Sequence, residues 1–142
     1  MNYTLKEIKS CSATAENPDA LSGQGGKTNN GRKGCPCVEP LAAGVTKTLL
    51  HKFGSGTIRK IWCTIPPEHP EHLRNLILRM YWDGQEIPSV EVPLGDFFGI
   101  AHGRQKNMVT PYVGMQDAKG FNCFIPMPFQ KEVMISIEND SD

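Results

Sequence analysis

Four carboxylates and one imidazole lie within or just before the stretch PSVEVPLGDFFGIAHG, residues Pro88 to Gly103: Asp83, Glu86, Glu91, Asp96 and His102. Glycoside hydrolysis needs two carboxyl groups facing one cavity, about 5–9.5 Å apart. Asp83 precedes Gly84 and reads first as a turn residue, because both positions tolerate positive φ. Glu86 and Glu91 read as solvated positions of an edge strand, since carboxylates are seldom buried. Asp96 is the candidate catalytic acid. It follows a glycine, precedes two aromatics and stands where a strand ends, a place where sites tend to form. His102 is suited to orient a carboxylate or a sugar hydroxyl, or to serve as a structural donor. Phe97 and Phe98, if extended, point to opposite faces. One then enters the core and the other offers a surface for sugar stacking or subunit contact.

Other chemistries find less support. No G-x-S-x-G occurs, so there is no nucleophile elbow for Ser-His-Asp hydrolysis. His69 and His72 have an i, i+3 spacing, but Pro70 opposes the helix that would converge them on a metal, and a solvated loop is expected. Cys35-Pro36-Cys37 is one residue short of a C-x-x-C pair, and no second pair completes four ligands. No metal site and no cofactor are therefore expected. The segment SGQGGKTNNGRKG (Ser22–Gly34) invites a phosphate-loop reading. The pattern ending at Gly26-Lys27-Thr28 needs a glycine where Leu21 stands, and no apolar strand precedes it, so it is a loop.

The elements that must position these residues are strands. Residues 11–40 are rich in Gly, Asn, Ser and Thr and poor in large apolar side chains, the composition of an irregular arm. From about Thr46 the texture changes. Lys47–Phe53 and Thr57–Ile65 flank the turn Gly54-Ser55-Gly56, with Ile61, Cys63 and Ile65 on one face. In Leu76–Trp82 the residues Leu76, Leu78, Met80 and Trp82 alternate with Ile77, Arg79 and Tyr81. Asp83-Gly84 then signals a hairpin returning through Glu86–Val92. Pro88 and Pro93 cannot donate to a ladder, so that return strand belongs at an edge or carries a bulge. Short runs at Asp96–Ile100, Met108–Val113 and Phe121–Ile125 follow, and Val133, Ile135 and Ile137 share one face of the last. About eight short strands with turns every 8–12 residues predict an all-β chain. The expected form is a single jelly-roll β-sandwich of antiparallel strands over 45–142, behind an N-terminal arm at 1–44. The Cys…Trp…Cys spacing of an immunoglobulin domain is absent, since Trp62 immediately precedes Cys63.

Bulk properties agree with one domain plus an arm in 142 residues. Fifteen basic and fifteen acidic residues balance, so neither nucleic acid nor an anionic membrane is an expected partner. No apolar run is long enough to span a bilayer. The N-terminal MNYTLKEIKS lacks a signal-peptide core, which leads to a cytoplasmic expectation. Five cysteines, an odd number, suit reduced thiols better than a disulfide framework.

RNLILRMYWDGQEIPSVEVPLGDFFGIAHG, then FNCFIPMPF and ISIEND, resemble the N-terminal half of glycoside hydrolase family 172, formerly a domain of unknown function. The resemblance covers about residues 45–139. It rests on Trp82-Asp83-Gly84, Pro88 to Pro93, Gly95-Asp96-Phe97-Phe98-Gly99 and Pro126-Met127-Pro128-Phe129. It implies a jelly roll related to double-jelly-roll capsid proteins. Family members carry two rolls, assemble as trimers or larger, and act on α-D-fructofuranosides and D-arabinofuranosides with a retaining pair of glutamates. Those glutamates belong to the second half, near a Gly-Thr-Glu-Asp-Tyr-type motif that does not occur here. What transfers is pocket or interface lining at Asp83, Asp96, Phe97, Phe98 and His102. The expectation is a non-catalytic roll that assembles with copies of itself into a ring or filament. The alternative is a binding module or half-enzyme for a furanoside glycan.

Overall fold

A computed structural model describes residues 7–32, 34–35, 37–66, 69 and 71–142. Expectations touching Met1–Lys6, Lys33, Pro36, Pro67, Glu68 and Pro70, including the start of the N-terminal reading and the centre of Cys35-Pro36-Cys37, lie outside the described residues. The chain divides into two compact units, Met1–Glu39 and Pro40–Asp142.

In the first unit polar side chains hold the backbone where apolar ones are lacking. The buried Asn17 donates from Nδ2 to the carbonyls of Ser12 and Leu21, at 3.0 and 3.1 Å. Its Oδ1 accepts the Leu21 N–H at 3.1 Å. Glu16 accepts the Gly26 N–H at 2.8 Å and the Thr28 hydroxyl, and Thr28 Oγ1 in turn accepts the Gly34 N–H at 2.6 Å. The donors that a phosphate loop would turn toward an anion are thus directed at a carboxylate of this unit.

The second unit is a β-sandwich. Its strands are β1 Thr46–Phe53, β2 Gly56–Ile58, β3 Ile61–Thr64, β4 Leu76–Trp82, β5 Val90–Pro93, β6 Met108–Val109, β7 Val113–Gln116, β8 Gly120–Cys123, β9 Met127–Phe129 and β10 Glu132–Asn139. One sheet runs β1-β10-β4-β5 and the other β3-β8-β7-β6, with β2 and β9 forming a separate pair. All pairings are antiparallel. First pairs with last and β3 with β8, the nesting of a roll, while β4–β5 and β6–β7 close as hairpins within their sheets.

Alternation decides which faces meet, because successive strand side chains point to opposite sides. Leu78, Met80, Val133, Ile135 and Ile137 line the inner face of the first sheet. Met115, Phe121 and Cys123 line that of the second, with Ile61 and Cys63 beside them. The outer faces differ in kind. The first sheet presents His51, Tyr81, Arg79, Glu132 and Glu138. The second presents Trp62, 58% exposed, opposite Asn122, with Tyr112 and Phe124 exposed nearby. The Phe124 N–H bonds the Tyr112 carbonyl at 2.8 Å, and Lys60 Nζ stands 5.4 Å from the Phe124 ring centre.

Four expectations need correction. Met108–Val113 is not one run: Met108–Val109 and Val113 belong to β6 and β7, which pair with each other as a hairpin. Asp96–Ile100 is no strand: Leu94–Phe97 forms one helical turn, and the backbone reverses at Gly99, whose φ is +77°. The continuous run Thr57–Ile65 is broken into β2 and β3, which pair with different strands. The return strand after Asp83-Gly84 begins only at Val90, opposite Met80, because Pro88 has no N–H to donate. Among the described residues no helix is long and apolar enough to cross a membrane.

Candidate functional site

The end of β5 delivers the chain into the one-turn helix at Leu94–Phe97, and this turn decides the fate of the aromatic pair. The N–H groups of Phe98 and Ile100 bond the Gly95 carbonyl at 3.1 and 2.8 Å, and that of Gly99 bonds Asp96 at 2.9 Å. Phe98 is thereby aimed inward and is fully buried. Its ring lies 5.4 Å from that of Phe121 and meets Phe97 edge-on at 5.1 Å. Phe97 is partly buried against the same core. Both rings turn inward, so the expectation of opposite strand faces fails because the backbone is helical there.

Asp96 pairs with Arg74, which follows the fully buried Leu73 in the helical turn His72–Asn75. Its Oδ2 accepts from Arg74 Nη1, while Oδ1 is buried and lacks a partner among the described residues. A carboxylate oxygen engaged by a guanidinium is the arrangement of a structural ion pair.

Asp83 anchors two turns. Its φ is +55°, and the Gln85 N–H closes the turn onto the Trp82 carbonyl at 3.1 Å. Oδ1 accepts the N–H groups of Gln130, Lys131 and Glu132 at 2.8, 2.6 and 3.3 Å. The Lys131 N–H above all, then those of Gln130 and Glu132, hold this carboxyl below its ordinary 3.8. It therefore adds stability above pH 3.8 and gives it up as pH falls through the lower folded value. Asp83→Asn keeps an acceptor and tolerates the left-handed backbone, but removes the titration. Melting temperatures measured from neutral to strongly acidic pH should fall more steeply at the acid end for the native chain than for this variant. Parallel curves would remove Asp83 from its anchoring role.

His102 has φ +65° and is exposed. With Arg104, Lys106 and Asn107 it rims a hollow of about 320 Å³ floored by Ile100 and Met108. Asn107 Oδ1 accepts the Ala118 N–H at 3.0 Å. The five sequence candidates are thus distributed by task. Phe97, Phe98 and Asp96 belong to the helical turn and its packing, Asp83 to a pair of turns, and His102 to a basic hollow.

A further groove, of about 170 Å³, lies on the outer face of the first sheet. Pairing sets His51, Met134 and Tyr81 abreast on β1, β10 and β4. His51 Nε2 lies 2.8 Å from Glu132 Oε2, and the exposed Phe53 ring stands 4.5 Å from the imidazole. Gln85 reaches the groove from the turn and accepts the Ser89 hydroxyl at 2.7 Å. His51 and Glu132 lie 81 residues apart, and only the pairing of the first and last strands joins them. Farther along this face Arg79 donates to Glu91 at 2.7 Å and to Glu138, and these two bonds raise its pKa. Glu91 is exposed on the edge strand β5, as expected, and also pairs with Arg79.

All five cysteines are free thiols, and burial pushes that of Cys63 up to about 12. Against known proteins, a family model described as GH172 domain-like matches residues 38–142. No curated protein matches the chain.

Proposed function

Because the chain belongs to the GH172 domain-like family over residues 38–142, we propose that it is a non-catalytic single roll that assembles with copies of itself. The observation that carries this reading is the uncovered outer face of the second sheet, where Trp62, Tyr112 and Phe124 are 58, 63 and 48% exposed. Large exposed aromatics grouped on one face mark an interaction surface, and aromatics are the residues that anchor interfaces. The non-catalytic part draws on the carboxylates. Retaining furanoside cleavage needs two carboxyls about 5–5.5 Å apart. Here Asp83 serves backbone N–H groups, Asp96 serves Arg74, and Glu91 and Glu138 share Arg79. Residues 1–40 act as the arm that reaches a neighbouring copy.

Light scattering on the full chain at micromolar concentration should give a multiple of the 15.7 kDa mass. Trp62→Lys combined with Phe124→Lys, or deletion of residues 2–40, should give a smaller folded species. A monomeric native chain, or assembly unchanged by both alterations, would overturn the proposal. Release of fructose or arabinose from their α-furanosides, abolished by Asp96→Asn without loss of fold, would overturn its non-catalytic part.

A second reading, a furanoside-glycan binding module or half-enzyme, is favoured by the His51 groove. An exposed phenylalanine beside an imidazole, a carboxylate and an amide offers a sugar both a face to stack on and hydroxyl partners.

A further inference from the structure

The connection from β3 to β4 carries the sequence His69-Pro70-Glu71-His72, directly ahead of the buried Leu73. A turn, with no need of a long helix, brings its side chains together. The His72 N–H bonds the His69 carbonyl at 3.1 Å, and the two imidazoles stack with centres 4.9 Å apart. His69 Nδ1 lies 3.2 Å from Glu71 Oε1. One ligand atom from each of His69, Glu71 and His72 falls within 4.8 Å of the other two.

We propose that His69, Glu71 and His72 form a binding site for a divalent transition ion of the zinc type. Two imidazoles and a carboxylate are a donor set that zinc favours. Ligand bonds of about 2.0–2.2 Å in a tetrahedron put neighbouring donors roughly 3.3 Å apart. The His69–Glu71 separation of 3.2 Å already has that value, and the His72 donor lies within 4.8 Å of both. Three protein ligands leave a fourth position for water or an external donor. All three ligands come from four consecutive residues, so the ion clamps the end of this connection immediately before Leu73 enters the core. The site is independent of the assembly reading and of the furanoside groove.

The test uses the untagged full chain and zinc alone, followed by calorimetry, with cobalt as a spectroscopic probe. One site per chain is expected, and it should survive His51→Ala and His102→Ala. His69→Ala and His72→Ala should each weaken zinc binding at least about tenfold, in proteins whose far-ultraviolet circular dichroism matches the native chain. Bound cobalt should show nitrogen and oxygen ligation without a sulfur charge-transfer band, which distinguishes this site from the exposed Cys11 and Cys37. Absence of zinc binding, unchanged affinity in the His69→Ala/His72→Ala double variant, or a sulfur band that accounts for all the bound cobalt would each overturn the proposal. A rise in melting temperature with zinc, lost in the double variant, would support the clamping role.

Discussion

Phe98→Ala should lower the unfolding free energy by about 3–5 kcal/mol, the range for emptying a phenylalanine site in a packed core. The side chain has no exposure, and its ring touches the neighbourhoods of both Phe97 and Phe121. Removing it takes away the apolar burial and also leaves a void between the helical turn after β5 and strand β8. Neither neighbour can close such a void without leaving its own packing. Urea denaturation of the two proteins measures the difference directly. A loss below about 1 kcal/mol would mean that the ring does not fill a packed core site. The experiment also separates packing from recognition. A sugar-stacking ring, once removed, would leave the denaturation midpoint in place and weaken only the binding of ligand.

Gly95→Ala is the second large effect, and two forces oppose each other in it. Alanine favours a helical turn over glycine by about 0.5–1 kcal/mol. Against that, a Cβ at this position would stand 2.9 Å from Leu73 Cβ and 3.0 Å from the Leu73 carbonyl oxygen. Neither atom is the free end of a flexible chain, and Leu73 is itself fully buried. Overpacking of this kind costs about 1–3 kcal/mol, so the steric effect wins and the variant is destabilised. Gly25→Ala is the matched control, because an added Cβ there meets nothing within 4 Å. Thermal melts in which both variants behave alike would show that Gly95 is not a close-approach position.

These two positions explain why the Gly95–Gly99 stretch was hard to read. The alternation of Ile61 with Cys63 and of Val133, Ile135 and Ile137 is a local pattern, so these strands and their inner faces are legible in the sequence. Asp83-Gly84 was equally legible as a turn, because positive φ is a property of the residues themselves. The carboxylate's second task, gathering three N–H groups some 47–49 residues away, was not. The helical turn at Leu94–Phe97 packs closely against Leu73, a tertiary fact with no local signature beyond the glycine. Outward positions on the first and last strands could have suggested His51 and Glu132 as partners, had the β1–β10 pairing been assumed. Alternation gives the face of each strand but not its neighbour. At His69 and His72 the i, i+3 spacing suggests a helix that Pro70 opposes, so the turn that stacks the two imidazoles has no local sign in the sequence.

The pairing of β1 with β10 has a mechanical meaning as well. Thr46, where the sandwich is entered, lies opposite Glu138, one residue before β10 ends, and the Asn139 N–H bonds the Val45 carbonyl. Tension applied to the two ends of this unit therefore acts at one corner and across the ladder. Antiparallel hydrogen bonds lie perpendicular to their strands, so such a pull loads them one at a time from that corner. The unit yields by unzipping rather than by shear, and an assembly that must bear load has to route the strain through contacts between faces instead of along the chain.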